Sequence, residues 1–203
     1  MMFFQDTRSI GVVFWIAAIL YLVEAILVLT GAHVENLTNF PEIITDKQGF
    51  CFIIGFGSLL SAAIYLLNAH RIMSQKRARL DVLRRYVLTI GLCTLVDGIA
   101  AGLSVYLYTN DPDAGIYVTV ITIVLSIFLI LISNSITNGK KGAGKKVVWA
   151  ILVIAFALML INALQAADNY WQYAENIANV LIAFFMLSMI FDRDVRSDMG
   201  VKA

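Results

Sequence analysis

Apolar residues dominate six separate stretches of the sequence, at 10–30, 49–69, 86–108, 116–136, 147–167 and 174–191. Each is close to the ~20 residues that a helix needs to cross the hydrocarbon core of a bilayer. Polar and charged residues gather in the short segments between them. Pro41 and Pro112, the two prolines, also lie in those segments, as uninterrupted helices require. The pattern predicts an all-α polytopic membrane protein: one integral membrane domain of six transmembrane helices, with no room for a separate soluble module.

Composition supports this. Over 203 residues the chain is 60% hydrophobic and 14% charged, with a mean hydropathy of +0.82. A soluble domain carries about 45–50% apolar and about 25% charged residues. A globule of this size has too little interior to hide the excess, and a disordered chain would be far poorer in apolar residues. The net charge of +1 gives no general attraction to nucleic acid. The expected partners are the lipid bilayer and, beyond it, further copies of the chain or other membrane subunits. Cys51 and Cys93 both lie in apolar stretches, which argues against a disulfide framework.

The charges sort by side. Arg8 precedes the first stretch. Arg71, Lys76, Arg77, Arg79, Arg84 and Arg85 fall in the second connection, Lys140, Lys141, Lys145 and Lys146 in the fourth, and Arg193, Arg196 and Lys202 after the sixth stretch. That is 14 of the 15 basic residues, and Lys47 alone falls on the opposite side. Basic residues mark the cytoplasmic side, so both ends are expected there, in a cell or plasma membrane. The outer side holds Glu35, Glu42, Asp46, Asp111, Asp113 and Asp168, with Tyr170, Trp171 and Tyr173 as an interfacial belt. Thr30-Gly31-Ala32 has the look of a signal-peptide cleavage site. Glu24 interrupts the apolar stretch before it, however, and Arg8 is balanced by Asp6, so a retained first helix is expected. Asn36-Leu37-Thr38 has the form of a glycosylation acceptor.

A threefold internal repeat emerges from the odd-numbered helices. Leu22-Val23-Glu24-Ala25-Ile26, Leu95-Val96-Asp97-Gly98-Ile99 and Leu160-Ile161-Asn162-Ala163-Leu164 share one order: apolar, branched apolar, polar, small, aliphatic. The even helices echo it more weakly in Leu60-Ser61, Leu125-Ser126 and Leu187-Ser188. Three tandem helical hairpins around a pseudo-threefold axis are expected, since parallel repeats pack about an axis along the bilayer normal. Small neighbours Ala25, Gly98 and Ala163 would allow close helix contact.

The same motif holds the candidate site. An ionisable residue within the bilayer costs about 2.5–3.5 kcal/mol on insertion scales and marks a functional site by default. Glu24 is expected roughly 9 Å from the outer end of its helix and Asp97 roughly 16 Å from the outer end of its own, near the midplane. Asn162, Gln165, Glu175, Asn176 and Asn179 lie in the outer halves of the last two helices. An outward-opening polar pocket is the geometric reading, with Glu24, Asp97, Asn162, Asn179 and Glu175 as candidate ligand- or ion-binding residues. No basic residue lies at that depth. The carboxyls are then either neutral hydrogen-bond donors or kept ionised by water or a cation. In the functional reading they bind a cation, a proton or a small polar ligand. In the structural one they hold the bundle together, although interhelical polar bonds average only about 0.6 kcal/mol.

Other chemistry is thinly represented. His33 and His70 lie on opposite sides of the membrane, and no Cys/His cluster has zinc spacing. No pair of in-membrane histidines would hold a haem, and no cofactor is expected. Gly-x-Ser-x-Gly and His-Glu-x-x-His are absent, so intramembrane proteolysis has no sequence support and no conventional enzyme activity is expected; an enzyme acting on lipids or quinones is a third possibility, for which the sequence offers no nucleophile–base pair. Residues 139–146 lack the order of a phosphate loop and read as a flexible, lipid-facing basic turn. Residues 71–85, with Ile72, Leu80 and Leu83 on an apolar side, read as a topology signal or as a segment resting on anionic headgroups. Gly55, Gly57, Ser58 and Ser61 make a thin face for one neighbouring helix. Gly98 and Gly102 form a Gly-x-x-x-Gly for contact within or between subunits.

Pro112-Asp113-Ala114-Gly115-Ile116 opens the second return helix with a Pro-x-x-Gly-aliphatic turn, and Gly55-Phe56-Gly57-Ser58-Leu59-Leu60 lies in the glycine-bearing first return helix. With short outer and basic inner links, these features resemble the HdeD-type bacterial acid-resistance membrane proteins. The resemblance implies three tandem hairpins over nearly the whole chain and a stress-related role. The third hairpin lacks the turn proline, and Glu24 and Asp97 match no pattern of that family. The leading expectation is a small transport or permeation protein; the alternative is a non-catalytic subunit or scaffold of a larger membrane complex.

Overall fold

Helical hydrogen bonding does not stop where hydrophobicity does. Lys, Arg, Gln and Met sustain a helix nearly as well as Leu, so helices outrun the apolar stretches that seed them. The computed structural model describes residues 7–30, 44–74, 79–138, 143–164 and 170–201, the backbone alone for residue 7 and residues 170–175. It has α1 (Thr7–Leu29), α2 (Lys47–Ser74), α3 (Arg79–Tyr108), α4 (Pro112–Asn138), α5 (Ala143–Ala163), α6 (Tyr170–Ile190) and a short α7 (Arg193–Asp198). Among the described residues there is no strand, only an isolated antiparallel bridge between Ile44 and Thr109. Among the described residues five helices, α1 to α5, are long and apolar enough to cross a membrane, and the described part of α6, Asn176–Ile190, is a shorter apolar helix.

The basic segments differ from expectation. Residues 71–74 finish α2 and residues 79–85 open α3, and residues 75–78 lie outside the described ones. Ile72 and Leu83, on the apolar side of that segment, are fully buried in protein, which does not suit the headgroup reading of the two that the sequence left open. Of the basic turn at 139–146, the last four residues are the first turn of α5, and Lys145 is buried instead of facing lipid. His33, Pro41, the acceptor triplet at 36–38, Gln165 and Asp168 fall outside the described residues, as do the side chains of Tyr170, Trp171, Tyr173 and Glu175.

Helix starts are set by carboxylates, which accept from backbone N–H groups that have no intrahelical partner. Asp46 Oδ1 accepts from Gln48 and Gly49 at 3.0 and 3.2 Å. Asp111 Oδ1 accepts from Ala114 at 3.1 Å, and Pro112 occupies the first position of α4, where its missing N–H costs nothing. Asp192 caps α7 by accepting from Asp194 at 3.1 Å. That helix ends on Gly200 at φ 75°. Its left-handed backbone lets Gly200 donate to Ser197 and Val201 to Arg196.

Exposure is inverted relative to a protein that faces water. Val12, Ile16, Ile19, Val23 and Ile26 form an exposed apolar stripe along α1, and Tyr117, Val120, Val124, Phe128 and Leu131 do the same on α4. Ser61, Thr89, Ser104, Ser126 and Ser133 are fully buried. Apolar outside and hydroxyl inside is the arrangement that suits a hydrocarbon solvent, where helices associate through small and polar residues.

The contacts divide into two units. One, the glycine-lined unit, comprises Ala18–Tyr65 and Thr89–Ile130. Here α2 serves two neighbours. Gly55 faces α1, where an added Cβ would sit 2.6 Å from Leu29 Cγ, and Gly57 faces α3, where it would sit 2.6 Å from Ala100 Cβ. The thin face expected for one neighbour is therefore two faces. Gly98 and Gly102 of α3 lie against Thr122 and Thr119 of α4, so the Gly-x-x-x-Gly is used within the chain. Gly115 closes the hairpin; a Cβ there would meet the Gly102 carbonyl at 2.6 Å. Thr45 donates to the Tyr108 carbonyl at 2.8 Å, tying the entry of α2 to the exit of α3.

The other, the aromatic unit, comprises Met1–Ala17, Leu66–Leu88 and Leu131–Ala203. Its centre is Tyr86, 1% exposed. Its ring stacks on Phe14 at 5.4 Å and meets Phe156 at 5.7 Å, and its hydroxyl lies 3.3 Å from Met159 Sδ. Trp149 Nε1 donates to the Ile190 carbonyl at 3.0 Å, joining α5 to the end of α6, and its ring meets Phe191 edge-on at 5.7 Å. Arg79 pairs with Asp192, so one carboxylate both caps α7 and holds it to α3.

Gly57→Val should overpack the α2–α3 contact and lower stability by about 1–3 kcal/mol. Gly144→Ala, with nothing within 4 Å of the new Cβ, should be neutral or stabilising by up to about 1 kcal/mol. Unfolding of the purified protein in detergent distinguishes the two.

Candidate functional site

Asp97 stands eleven residues before the end of α3 at Tyr108 and Ser61 fourteen past the start of α2 at Lys47, or about 16 and 21 Å along their helices. Those two ends are joined by the Thr45–Tyr108 hydrogen bond. Side chains tilt toward the start of their own helix, so Asp97 leans away from that shared end and Ser61 leans toward it. The tilts close the gap in level. Gly57, one turn before Ser61 on the same face of α2, removes the side chain that would hold the backbones apart.

The resulting contact is specific. Ser61 Oγ donates to Asp97 Oδ1 at 2.7 Å, and the Ser61 carbonyl lies 3.8 Å from Cys93 Sγ, a weak S–H donor one turn from Asp97. Ser61 is fully buried and Asp97 half-buried. Among the described residues Asp97 has no cationic partner. One carboxylate oxygen is thus held by a hydroxyl, and charge compensation is left to a proton, water or a cation. Cys51 and Cys93 are both free and buried. No group of three His, Cys, Asp or Glu among the described residues is placed to hold a metal ion.

The other expected residues are distributed as follows. Glu24 lies on α1 in the same unit as Asp97, half-buried and engaged by neighbouring groups. Its neighbour Ala25 is fully buried, and the Ala25 carbonyl faces Gly55. Asn162 is exposed on α5 and Asn179 half-buried on α6, both in the aromatic unit. Glu175 is on α6, with its side chain outside the described residues. The small residue after each polar one, Ala25, Gly98 or Ala163, is buried in all three odd helices. The echoing serines are not equivalent, since Ser126 and Ser188 donate to carbonyls of their own helices, Ile123 and Phe185.

The chain matches no protein-family model, no curated protein and no solved structure. The function must therefore be argued from the site itself.

The sequence marked Ser61 as an echo of the repeat and as part of the thin face of α2, but not as the partner of Asp97. The available signal was depth: two polar residues at matching levels on consecutive helices of opposite direction. A separate open cavity of about 560 Å³ lies at the α1–α2 end, lined by Leu29, Thr30, Asp46, Lys47, Gln48 and their neighbours. It does not include Asp97.

Ser61→Ala should cost about 0.5–1.5 kcal/mol of stability by removing the partner of Asp97, and Ser61→Thr should restore most of it. Unfolding in detergent measures both.

Proposed function

We propose that the protein is a six-span integral membrane protein that carries or conducts a proton or small cation, with Asp97 as the binding group and Ser61 as its positioning partner. The observation that carries this reading is the carboxylate placed deep within an apolar helix, hydrogen-bonded by one hydroxyl and with no cationic partner among the described residues. A carboxylate so placed is costly unless it does something. Glu24, on α1 of the same unit, is the second carboxylate of the pathway. Asn162, Asn179 and Glu175 lie on helices of the other unit, and the reading is confined to the acidic residues and hydroxyl of the glycine-lined one. In this reading α6 completes the sixth span, the repeated motif marks three tandem hairpins, and the basic residues face the cytoplasm.

Two measurements test this. In reconstituted vesicles with a trapped pH indicator, the wild type should dissipate an imposed proton or cation gradient faster than empty vesicles. Asp97→Asn should cut that rate about tenfold or more, the effect of losing one essential charged interaction, and Glu24→Gln should cut it less. Equal rates for both variants and wild type would sink the reading.

Orientation is tested by single cysteines at exposed positions in a background with Cys51 and Cys93 replaced by serine. In intact cells a membrane-impermeant maleimide should label Asn110→Cys, and it should label His70→Cys only after permeabilisation.

A further inference from the structure

Among the described residues of the aromatic unit, two buried polar atoms have no hydrogen-bond partner, Arg84 Nε and Thr137 Oγ1. They belong to adjoining helices. Ser133 Oγ of α4 donates to the Arg84 carbonyl of α3 at 3.1 Å. Thr137 lies one turn beyond Ser133 on the same face of α4. The Arg84 side chain leans toward the start of α3, and α3 and α4 are the two arms of a hairpin, so it leans the way Thr137 lies. Arg84 Nε and Thr137 Oγ1 therefore arrive at one level of the hairpin, two buried and unpartnered atoms on half-buried side chains.

Leaving a buried donor unsatisfied costs about 1–3 kcal/mol, and more for a charged group. A native structure bears that cost where a water, an ion or a ligand satisfies the group. The neighbouring arginines sharpen the point. Arg79 pairs with Asp192, and Arg85 pairs with Asp81 at 3.1 Å, whereas Arg84 has no carboxylate among the described residues. Leu83 and Ile136, next to Arg84 and Thr137 in sequence, are fully buried. Two apolar side chains next to the pair in sequence are thus packed inside the protein, and no carboxylate among the described residues pairs with Arg84. The start of α3 favours an anion and the end of α4 disfavours one, so charge selection falls on Arg84. A guanidinium fork with an adjacent hydroxyl matches a tetrahedral oxyanion, to which it donates charge-assisted hydrogen bonds.

We propose that Arg84 and Thr137 form a phosphate-binding site, filled by the phosphate of an anionic lipid headgroup or by free phosphate. Both sources present the same oxygens. The lipid source rests on the membrane reading above, since basic pockets between transmembrane helices take headgroup phosphates; the free-phosphate source does not.

The test uses the full chain purified from membranes. Native mass spectrometry reads phosphatidylglycerol retained after detergent exchange, and ³¹P line broadening reads inorganic phosphate titrated into lipid-free protein. Retained lipid identifies the headgroup and broadening identifies free phosphate. Arg84→Gln should lower whichever signal is present about tenfold, as expected for a lost charge-assisted bond. Thr137→Val, which keeps the side-chain shape, should lower it several-fold. If Arg84→Gln unfolds at a lower temperature than wild type, Thr137→Val and Arg84→Lys decide, the latter keeping the charge but losing the fork. The proposal is overturned if wild type gives neither signal, or if the folded variants match it. Asp97→Asn should leave both signals unchanged, so loss of flux and loss of phosphate are separable results.

Discussion

Helices that expose Leu, Ile and Phe to their surroundings gain nothing by burying more of them against each other when those surroundings are hydrocarbon. Close fit and internal hydrogen bonds have to supply the association. The glycine-lined unit meets this constraint with Gly55 against α1, Gly57 against α3, and Gly98 and Gly102 against the threonines of α4. The aromatic unit meets it differently, by setting the rings of Phe14, Tyr86 and Phe156 among helices α1, α3 and α5. Ser61, Ser104, Ser126 and Ser133 then find acceptors within a helix or across to a neighbour.

Asp97 is intelligible only against that background. Where packing is by contact of nearly bare backbones, a carboxylate on one helix and a hydroxyl on the next come within hydrogen-bond distance with little chain to order. Gly57 is as much a part of this site as Ser61, because it sets how near α2 comes to α3. Among the described residues no cation compensates the second oxygen of Asp97.

Much of this was legible in the residues. The apolar stretches identified the helices. Glu24 and Asp97 stood out because acids are rare in such stretches. What was hidden had two physical causes. Hydrophobicity marks the part of a helix suited to hydrocarbon, not where its hydrogen bonds end, so α3 begins at Arg79, before its apolar stretch. And a residue's neighbour across a helix pair depends on register. The sequence does not display that register, so Gly55 and Gly57 appeared to share a face although they serve opposite neighbours. The role of Ser61 was hidden for the same reason.

The pairing of Arg79 with Asp192 spans 113 residues of chain. At synthesis rates of about 5–20 residues per second, roughly 6–20 seconds separate the appearance of the cation from that of its anion. During that interval α3 has already been made, with Arg79 lacking this partner. The C-terminal turn therefore closes a contact left open from early in synthesis. A chain interrupted just before Asp192 would hold α1 to α6 and still lack the ion pair that ties the start of α3 to α7.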